Sequence, residues 1–119
     1  MKSDHRELGR KGESIAAEYL ASNGYQILYT NWRYRKTEVD LIAQCGSILV
    51  FVEVKSRTSD FFGDPESFVT ERKEMLLQEA AAGYMELHQY EGEIRFDIIG
   101  ILFQSDYSYR ITHYPDAFF

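Results

Sequence analysis

At 119 residues, with 45% hydrophobic and 27% charged side chains, the chain is sized for one domain, 1–119, around a single core. Its longest apolar runs, such as Ile48-Leu49-Val50-Phe51-Val52, are too short to span a bilayer, and the polar start Met1–Arg6 leads into no apolar segment, which argues against a secretory signal. The net charge of −6 argues against coating DNA by charge alone, yet residues 1–57 carry +2 and residues 58–119 carry −8, so an anionic ligand is expected against the first half.

Residues 4–23 are predicted to form a helix, with Leu8, Gly12, Ile15, Ala16, Tyr19 and Leu20 on one arc and Arg10, Lys11, Ser14 and Glu18 opposite. Asn23-Gly24 ends it, Gly24 suiting the left-handed cap position. Three strands follow at 25–34, 38–45 and 48–56, the last strongly β-branched and alternating. Gly46-Ser47 between the second and third reads as a two-residue hairpin turn. Residues 57–69 read as an exposed loop. A second helix starts at the N-cap Thr70 and runs to about His88, with Leu76, Leu77, Ala80, Gly83, Tyr84 and Leu87 as its core stripe. Strands at 93–103 and 107–113 complete the order α-β-β-β-α-β-β, an α/β fold with a mixed sheet flanked by helices. The nine Tyr and eight Phe are read chiefly as core. The single cysteine, Cys45, makes no internal disulfide, so a reducing cytoplasm is the expected location.

The Gly46-Ser47 turn fixes a register. Cys45 then faces Ile48, Ala43 faces Val50, Asp40 faces Glu53 and Glu38 faces Lys55. Strict alternation puts those last four polar residues on one face and Val39, Leu41, Val52 and Val54 on the other. Two carboxylates about 5 Å apart repel by roughly 3 kcal/mol at an effective dielectric of about 20. A divalent cation between Asp40 and Glu53 reverses the sign of that term, and Mg²⁺ is suited to one or two carboxylates plus water and phosphate oxygens. Lys55, beside these acids, is expected to stay protonated and to act as an electrostatic clamp. The alternative reading is a solvent-facing strand with a Glu38–Lys55 surface ion pair worth under about 1 kcal/mol.

These segments also carry a resemblance. Gly9-Arg10-Lys11-Gly12-Glu13, Ala17-Glu18-Tyr19-Leu20, Gly24-Tyr25-Gln26-Ile27-Leu28, Asn31-Trp32-Arg33, Glu38-Val39-Asp40-Leu41-Ile42 and Val50–Arg57 resemble the YraN-like family. The likeness continues through Phe61–Pro65, Arg72-Lys73, Arg95-Phe96-Asp97 and Asp116-Ala117-Phe118, nearly the whole chain. That family is grouped with the restriction-endonuclease-like PD-(D/E)-x-K nucleases and is similar in motif layout to archaeal Holliday-junction resolvases. Carried over by position, the resemblance implies metal ligands at Asp40 and Glu53, a catalytic Lys55, and a further acid, Glu13, on the first helix as catalytic residue and ligand. The family's usual Gly before the second strand's acid is replaced by Thr37, which leaves the ligands intact and bears on the turn between Tyr34 and Glu38.

Arg33, Arg35 and Lys36 before the acidic strand, Arg57 at the end of the next, and Lys73 in the second helix are candidates to grip a phosphate backbone; a solvated basic loop is the alternative for the first three. His113 is read as structural, and Phe118 with Phe119 as a tail that packs on the body or a partner. The expected function is Mg²⁺- or Mn²⁺-dependent hydrolysis of DNA phosphodiester bonds, on branched or structured DNA in particular. The alternatives are a non-catalytic DNA-binding adaptor with an acidic docking surface, and a domain with no site at all. Cutting both strands takes two active sites, so a homodimer is a natural expectation.

Overall fold

A computed structural model describes residues 5–58, 69–105 and 107–118 of the chain. The elements follow the expected order: α1 (His5–Ser22), β1 (Gln26–Tyr34), β2 (Thr37–Cys45), β3 (Ile48–Arg57), α2 (Glu71–Leu87), β4 (Glu93–Ser105) and β5 (Ser108–Tyr114). One five-stranded sheet runs β1-β2-β3-β4-β5. Its neighbours are antiparallel except β3 and β4, which are parallel because α2 carries the chain back across the sheet. The fold is therefore α/β, with a mixed sheet between two helices. Most of the expected loop at 57–69 lies outside the described residues, as does Phe119.

Each helix covers its own core. Leu41, Val50, Val52, Ile99 and Ile101 pack with Ala16 and Leu20 of α1, while Val39, Ile42, Leu49, Phe51 and Phe96 pack with Leu77, Ala80, Ala81 and Tyr84 of α2. The expected arc of α1 faces the sheet: Gly12, Ala16 and Leu20 are buried, and Leu8, Ile15 and Tyr19 pack at the margin. Large aromatics fill the α2 side, where Phe51 stacks on Phe96, and Phe96 on Phe118 of the C-terminal tail. Each such ring removed from water contributes about 1.5–3 kcal/mol.

Thr70 caps α2 as expected, its hydroxyl accepting from Lys73 N at 3.1 Å. The expected stripe needs one correction. Leu87 is 70% exposed, and Ala81 is buried instead. The buried line of α2 runs Leu77, Ala81, Tyr84, and its next step falls on His88, whose ring stacks on Tyr84 at 4.0 Å. Leu87 lies one residue off that line.

Gly46 sits at φ 60° in the β2–β3 turn, where the positive φ favours glycine. The β2–β3 register is the one the turn dictates, from Cys45↔Ile48 through Ala43↔Val50 to Leu41↔Val52. There the ladder stops. The expected ladder pairs Asp40–Glu53 and Glu38–Lys55 do not form, because the Asp40 carboxylate takes the Val54 N–H at 2.8 Å. A side chain has replaced the strand partner.

Strict alternation also fails at this point. Val39 belongs to the α2 core and Leu41 to the α1 core, so Val39 does not share a face with Leu41, Val52 and Val54. The neighbouring strand does the same across Asn31, which is in the left-handed region at φ 51°. Thr30 pairs with Leu41 and Trp32 with Val39, and Trp32 lies in the α2 core. Two adjacent strands exchange faces together, with Asp40 and Asn31 at the exchange.

Candidate active site

The site is built where β2 and β3 part. Glu53 is 5% exposed, an unusual burial for a carboxylate. Its Oε2 receives Lys55 Nζ at 3.5 Å and Lys73 Nζ at 3.9 Å, while its Oε1 is buried with no hydrogen-bond partner. Lys55 reaches it because residues two apart on a strand share a face. Lys73 reaches it from the first turn of α2. The sequence offered Lys73 as a DNA contact or as a lysine that snorkels out beside the core or reaches the active face, and the structure puts it against Glu53.

Asp40 stands beside Glu53. Burial raises its pKa most, the Glu53 charge raises it further, and the Val54 N–H and Lys73 ammonium pull the other way without prevailing. Glu13 approaches from α1 and lies near enough to feel Asp40. Burial raises the Glu13 pKa first, a hydrogen bond from Asn31 lowers it, and the charges of Asp40 and Glu38 add to the rise. Glu38 is turned toward the same amide: Asn31 Nδ2 donates to Glu13 Oε1 at 2.8 Å and to Glu38 Oε1 at 3.3 Å. Glu38 does not pair with Lys55, whose recorded partner is Glu53.

Four acids thus meet two lysines and one amide. The sequence brought Asp40, Glu53 and Lys55 together by register, and Glu13 by resemblance. It missed Asn31, although an Asn inside an aromatic, β-rich run is a strand breaker that could have flagged it. Among the described residues, no set of three or more His, Cys, Asp or Glu side chains is grouped to hold a metal ion by itself. The other four basic candidates are dispersed, three on or beside the edge strand β1 and one at the end of the central strand β3. Arg33 is exposed and opposite Glu38, Arg35 sits in the β1–β2 turn at φ 54° with its guanidinium 5.3 Å from the Tyr34 ring centroid, and Lys36 is exposed beside it. Arg57, four residues past Glu53, donates to Ser56 O at 3.1 Å. Thr37, the residue in place of the family's glycine, is buried with its Oγ1 unpartnered, and the turn before it closes regularly on Tyr34↔Thr37.

Gly12 explains how α1 comes close enough to present Glu13. A Cβ at Gly12 would run into Ser56 Oγ and stand 3.1 Å from Ser56 Cβ. Gly12→Ala is expected to cost about 1–2 kcal/mol through overpacking, despite alanine's better helix propensity. Adding Ser56→Gly should restore the melting temperature by removing the obstruction. A Gly12→Ala protein that melts with or above wild type would show that the close approach is unimportant.

A second polar cluster lies on the α1 face of β4. Asp97 is fully buried. Its carboxylate accepts from Arg95 Nε and Nη2 and from His113 Nε2, each at 2.8 Å, and from Asp116 N at 3.0 Å. The Tyr19 hydroxyl lies 3.2 Å from His113 Nδ1, and Arg95 Nη2 donates to the Tyr25 hydroxyl at 2.7 Å. His113 is therefore structural, as its sequence setting suggested, and it joins β5 to α1. No helix of the described residues is long and apolar enough to cross a membrane.

Comparison with known proteins agrees over the whole length. The uncharacterised protein family UPF0102 matches residues 12–101. A UPF0102 protein of Flavobacterium psychrophilum is 44% identical over 117 residues, covering 98% of each chain. A UPF0102 protein of Chlorobium chlorochromatii is 45% identical over 117 residues, covering 94% of this chain and 91% of that one. Among solved structures, that of Pyrococcus furiosus SfsA in complex with Ca²⁺ aligns with a TM-score of 0.40 and 14% identity, over 93% of this chain and 64% of that one. That likeness is too slight to carry an argument. The sequence relatives are not, and on their evidence the chain belongs to the uncharacterised protein family UPF0102.

Proposed function

We propose that this protein is a divalent-metal-dependent endonuclease that hydrolyses DNA phosphodiester bonds. The observation that carries the reading is Glu53: a buried carboxylate with one oxygen unpartnered, set beside a second carboxylate at the open end of a strand pair. An orphaned buried oxygen costs about 1–3 kcal/mol, and two such acids side by side cost more. A sequence under selection for folding alone has a cheaper solution in any amide or alkyl side chain of the same size.

The donor set suits Mg²⁺ or Mn²⁺. Asp40 and Glu53 would hold the ion, with water in the remaining positions, consistent with the lack of a third grouped ligand among the described residues. When bound, such an ion supplies Lewis acidity toward a phosphoryl oxygen and lowers the pKa of its water. The chain's own side chains do the rest. Lys55 and Lys73 balance Glu53 and would face developing charge on a phosphate. Glu13, held by Asn31, would orient a water. Arg33, Arg35, Lys36 and Arg57 would serve as contacts to the nucleic-acid backbone. The resemblance to restriction-endonuclease-like nucleases supports the same assignment of Asp40, Glu53, Lys55 and Glu13, and favours branched or structured DNA, cut by a homodimer.

The test is a panel of linear, nicked, flapped and four-way DNA incubated with the protein and Mg²⁺ or Mn²⁺. Wild type should cleave at least one form, and Lys55→Ala should cut it roughly 100-fold more slowly. No cleavage of any form with either metal overturns the proposal. A second reading, a DNA-binding adaptor, is compatible with the same lack of a three-ligand group among the described residues. Calorimetry separates the two, since an adaptor has no Mn²⁺ binding for Glu53→Gln to abolish.

A further inference from the structure

The lysines of the site both pair with Glu53, and among the described residues Glu13 and Glu38 make no ion pair within 4.0 Å. Glu13 and Glu38 come from α1 and β2, and each takes a hydrogen bond from one nitrogen, Asn31 Nδ2. An amide nitrogen carries two hydrogens, so it can serve two carboxylates at once and has nothing left for a third. We propose that Asn31 is a positioning residue: its amide clamps Glu13 to Glu38 and so fixes the carboxylate that α1 presents beside Asp40. The consequence for catalysis rests on the nuclease reading above; the clamp itself does not.

Two demands meet at this position, and few residues satisfy both. The backbone is left-handed at φ 51°, which asparagine and glycine adopt readily and most side chains do not. The side chain must donate twice into a nest of acids. Glycine meets the first demand only. Aspartate tolerates the backbone and would add a further negative charge. Glutamine and lysine could donate, with a backbone they seldom adopt. The left-handed residue also sits where β1 and β2 exchange faces, between Thr30↔Leu41 and Trp32↔Val39. The kink is thus what turns this amide toward α1 in a strand whose next residue, Trp32, packs toward α2.

Asn31 and Glu13 also line a groove of about 240 Å³ with Arg10, Ser14 and Thr30. A nucleotide approaching along α1 would meet the Arg10 guanidinium first and the clamped Glu13 next. Movement of Glu13 by one rotamer would change what that nucleotide finds. Small displacements of a group that positions a reactant are costly in rate, even where binding is little changed.

The experiment uses four variants of the full chain, Glu13→Gln alone among them. Asn31→Gly keeps the left-handed backbone and deletes the amide. Asn31→Asp keeps the size and reverses the interaction. Asn31→Asp with Glu13→Gln returns a donor, now from residue 13. Asn31→Gly is expected to lower kcat for DNA cleavage about 10- to 100-fold, with KM changed less than about threefold. In thermal unfolding, Asn31→Asp should lower Tm, and the added Glu13→Gln should recover it by more than its effect in the wild-type background. The clamp is overturned if the changes at 31 and 13 simply add in Tm, or if a crystal structure of Asn31→Gly shows Glu13 unmoved. If wild type cuts no DNA while the Tm changes couple, the clamp stands and the nuclease reading alone falls. If Asn31→Gly cleaves at the wild-type rate, Asn31 has no positioning role in the reaction.

Discussion

At alkaline pH, where the wild-type carboxyl has lost its proton, Asp40→Asn should raise the melting temperature of the metal-free protein while removing the proposed Mg²⁺- or Mn²⁺-dependent activity. Asparagine preserves the shape and can still accept the Val54 N–H through its carbonyl oxygen. Its new amide hydrogens face Glu53, whose Oε1 has no partner. Once pH exceeds the raised Asp40 pKa of about 8, the substitution thereby removes a repulsion and satisfies an orphan, a gain on the order of 1–3 kcal/mol, or roughly 4–12 °C in Tm for a domain of this size. On the proposed nuclease reading, cleavage should fall about 1,000-fold or more, since one of the two carboxylates that would hold the metal is gone.

The pH dependence has a definite sign. The Asp40 carboxyl is pushed up to about 8, first by burial and then by the Glu53 charge. The folded state therefore holds a proton that the unfolded chain releases near the ordinary value of about 3.8. Stability from this group is fully present below that ordinary value and is lost as pH rises through about 8. Metal-free wild type should lose stability across that window, and Asp40→Asn should be flatter and overtake it at alkaline pH. Adding Mn²⁺ at pH 8 should reverse the order, because binding to the folded state alone stabilises wild type. Melting curves from pH 5 to pH 9, with and without Mn²⁺, decide the matter. A variant less stable than wild type under all four extremes would show that Asp40 is a folding residue and nothing more.

Asp97→Asn should do the opposite, and more severely. The Asp97 carboxylate is fully buried and accepts four hydrogen bonds, three of them from Arg95 and His113. Burial pushes its pKa up, but the bonds from His113, Arg95 and the Asp116 N–H outweigh burial and hold it below the ordinary carboxylate value. Asparagine would turn an amide donor on one of these donors and leave the Arg95 guanidinium uncompensated. Breaking a buried pair from one side costs about 3–5 kcal/mol, a drop of roughly 12–20 °C here. Replacing both partners, as Arg95→Met with Asp97→Leu, should cost less than the single change. Because the Asp97 pKa is lowered, its contribution is present above the ordinary carboxylate value and fades as pH falls through the folded value. The gap between wild type and Asp97→Asn should therefore close in acid. A melting temperature within about 2 °C of wild type at pH 7 would remove the network from any account of this fold's stability.

The two acids illustrate opposite uses of the same chemistry. Asp97 has a cation, a histidine and a backbone N–H, and is satisfied. Asp40 has one backbone N–H and an acid for a neighbour. The same residue type is structural where its oxygens are paired and poised for a ligand where they are not.

Sequence alone determined what local rules govern. Gly46 and the alternation after it set the β2–β3 register as far as Leu41↔Val52, and Thr70 set the start of α2. Period and turn chemistry act over a few residues, so the element order was legible without coordinates. Only the tertiary structure decided where the register ends, that Val39 and Leu41 part company, and that Leu87 faces water. It alone brought Asn31 to Glu13 across 18 residues, Lys73 to Glu53 across 20 and His113 to Tyr19 across 94. Those meetings depend on how the sheet twists, where a left-handed residue kinks it and how closely each helix docks. These are properties of the packed whole, which no periodicity in the chain encodes.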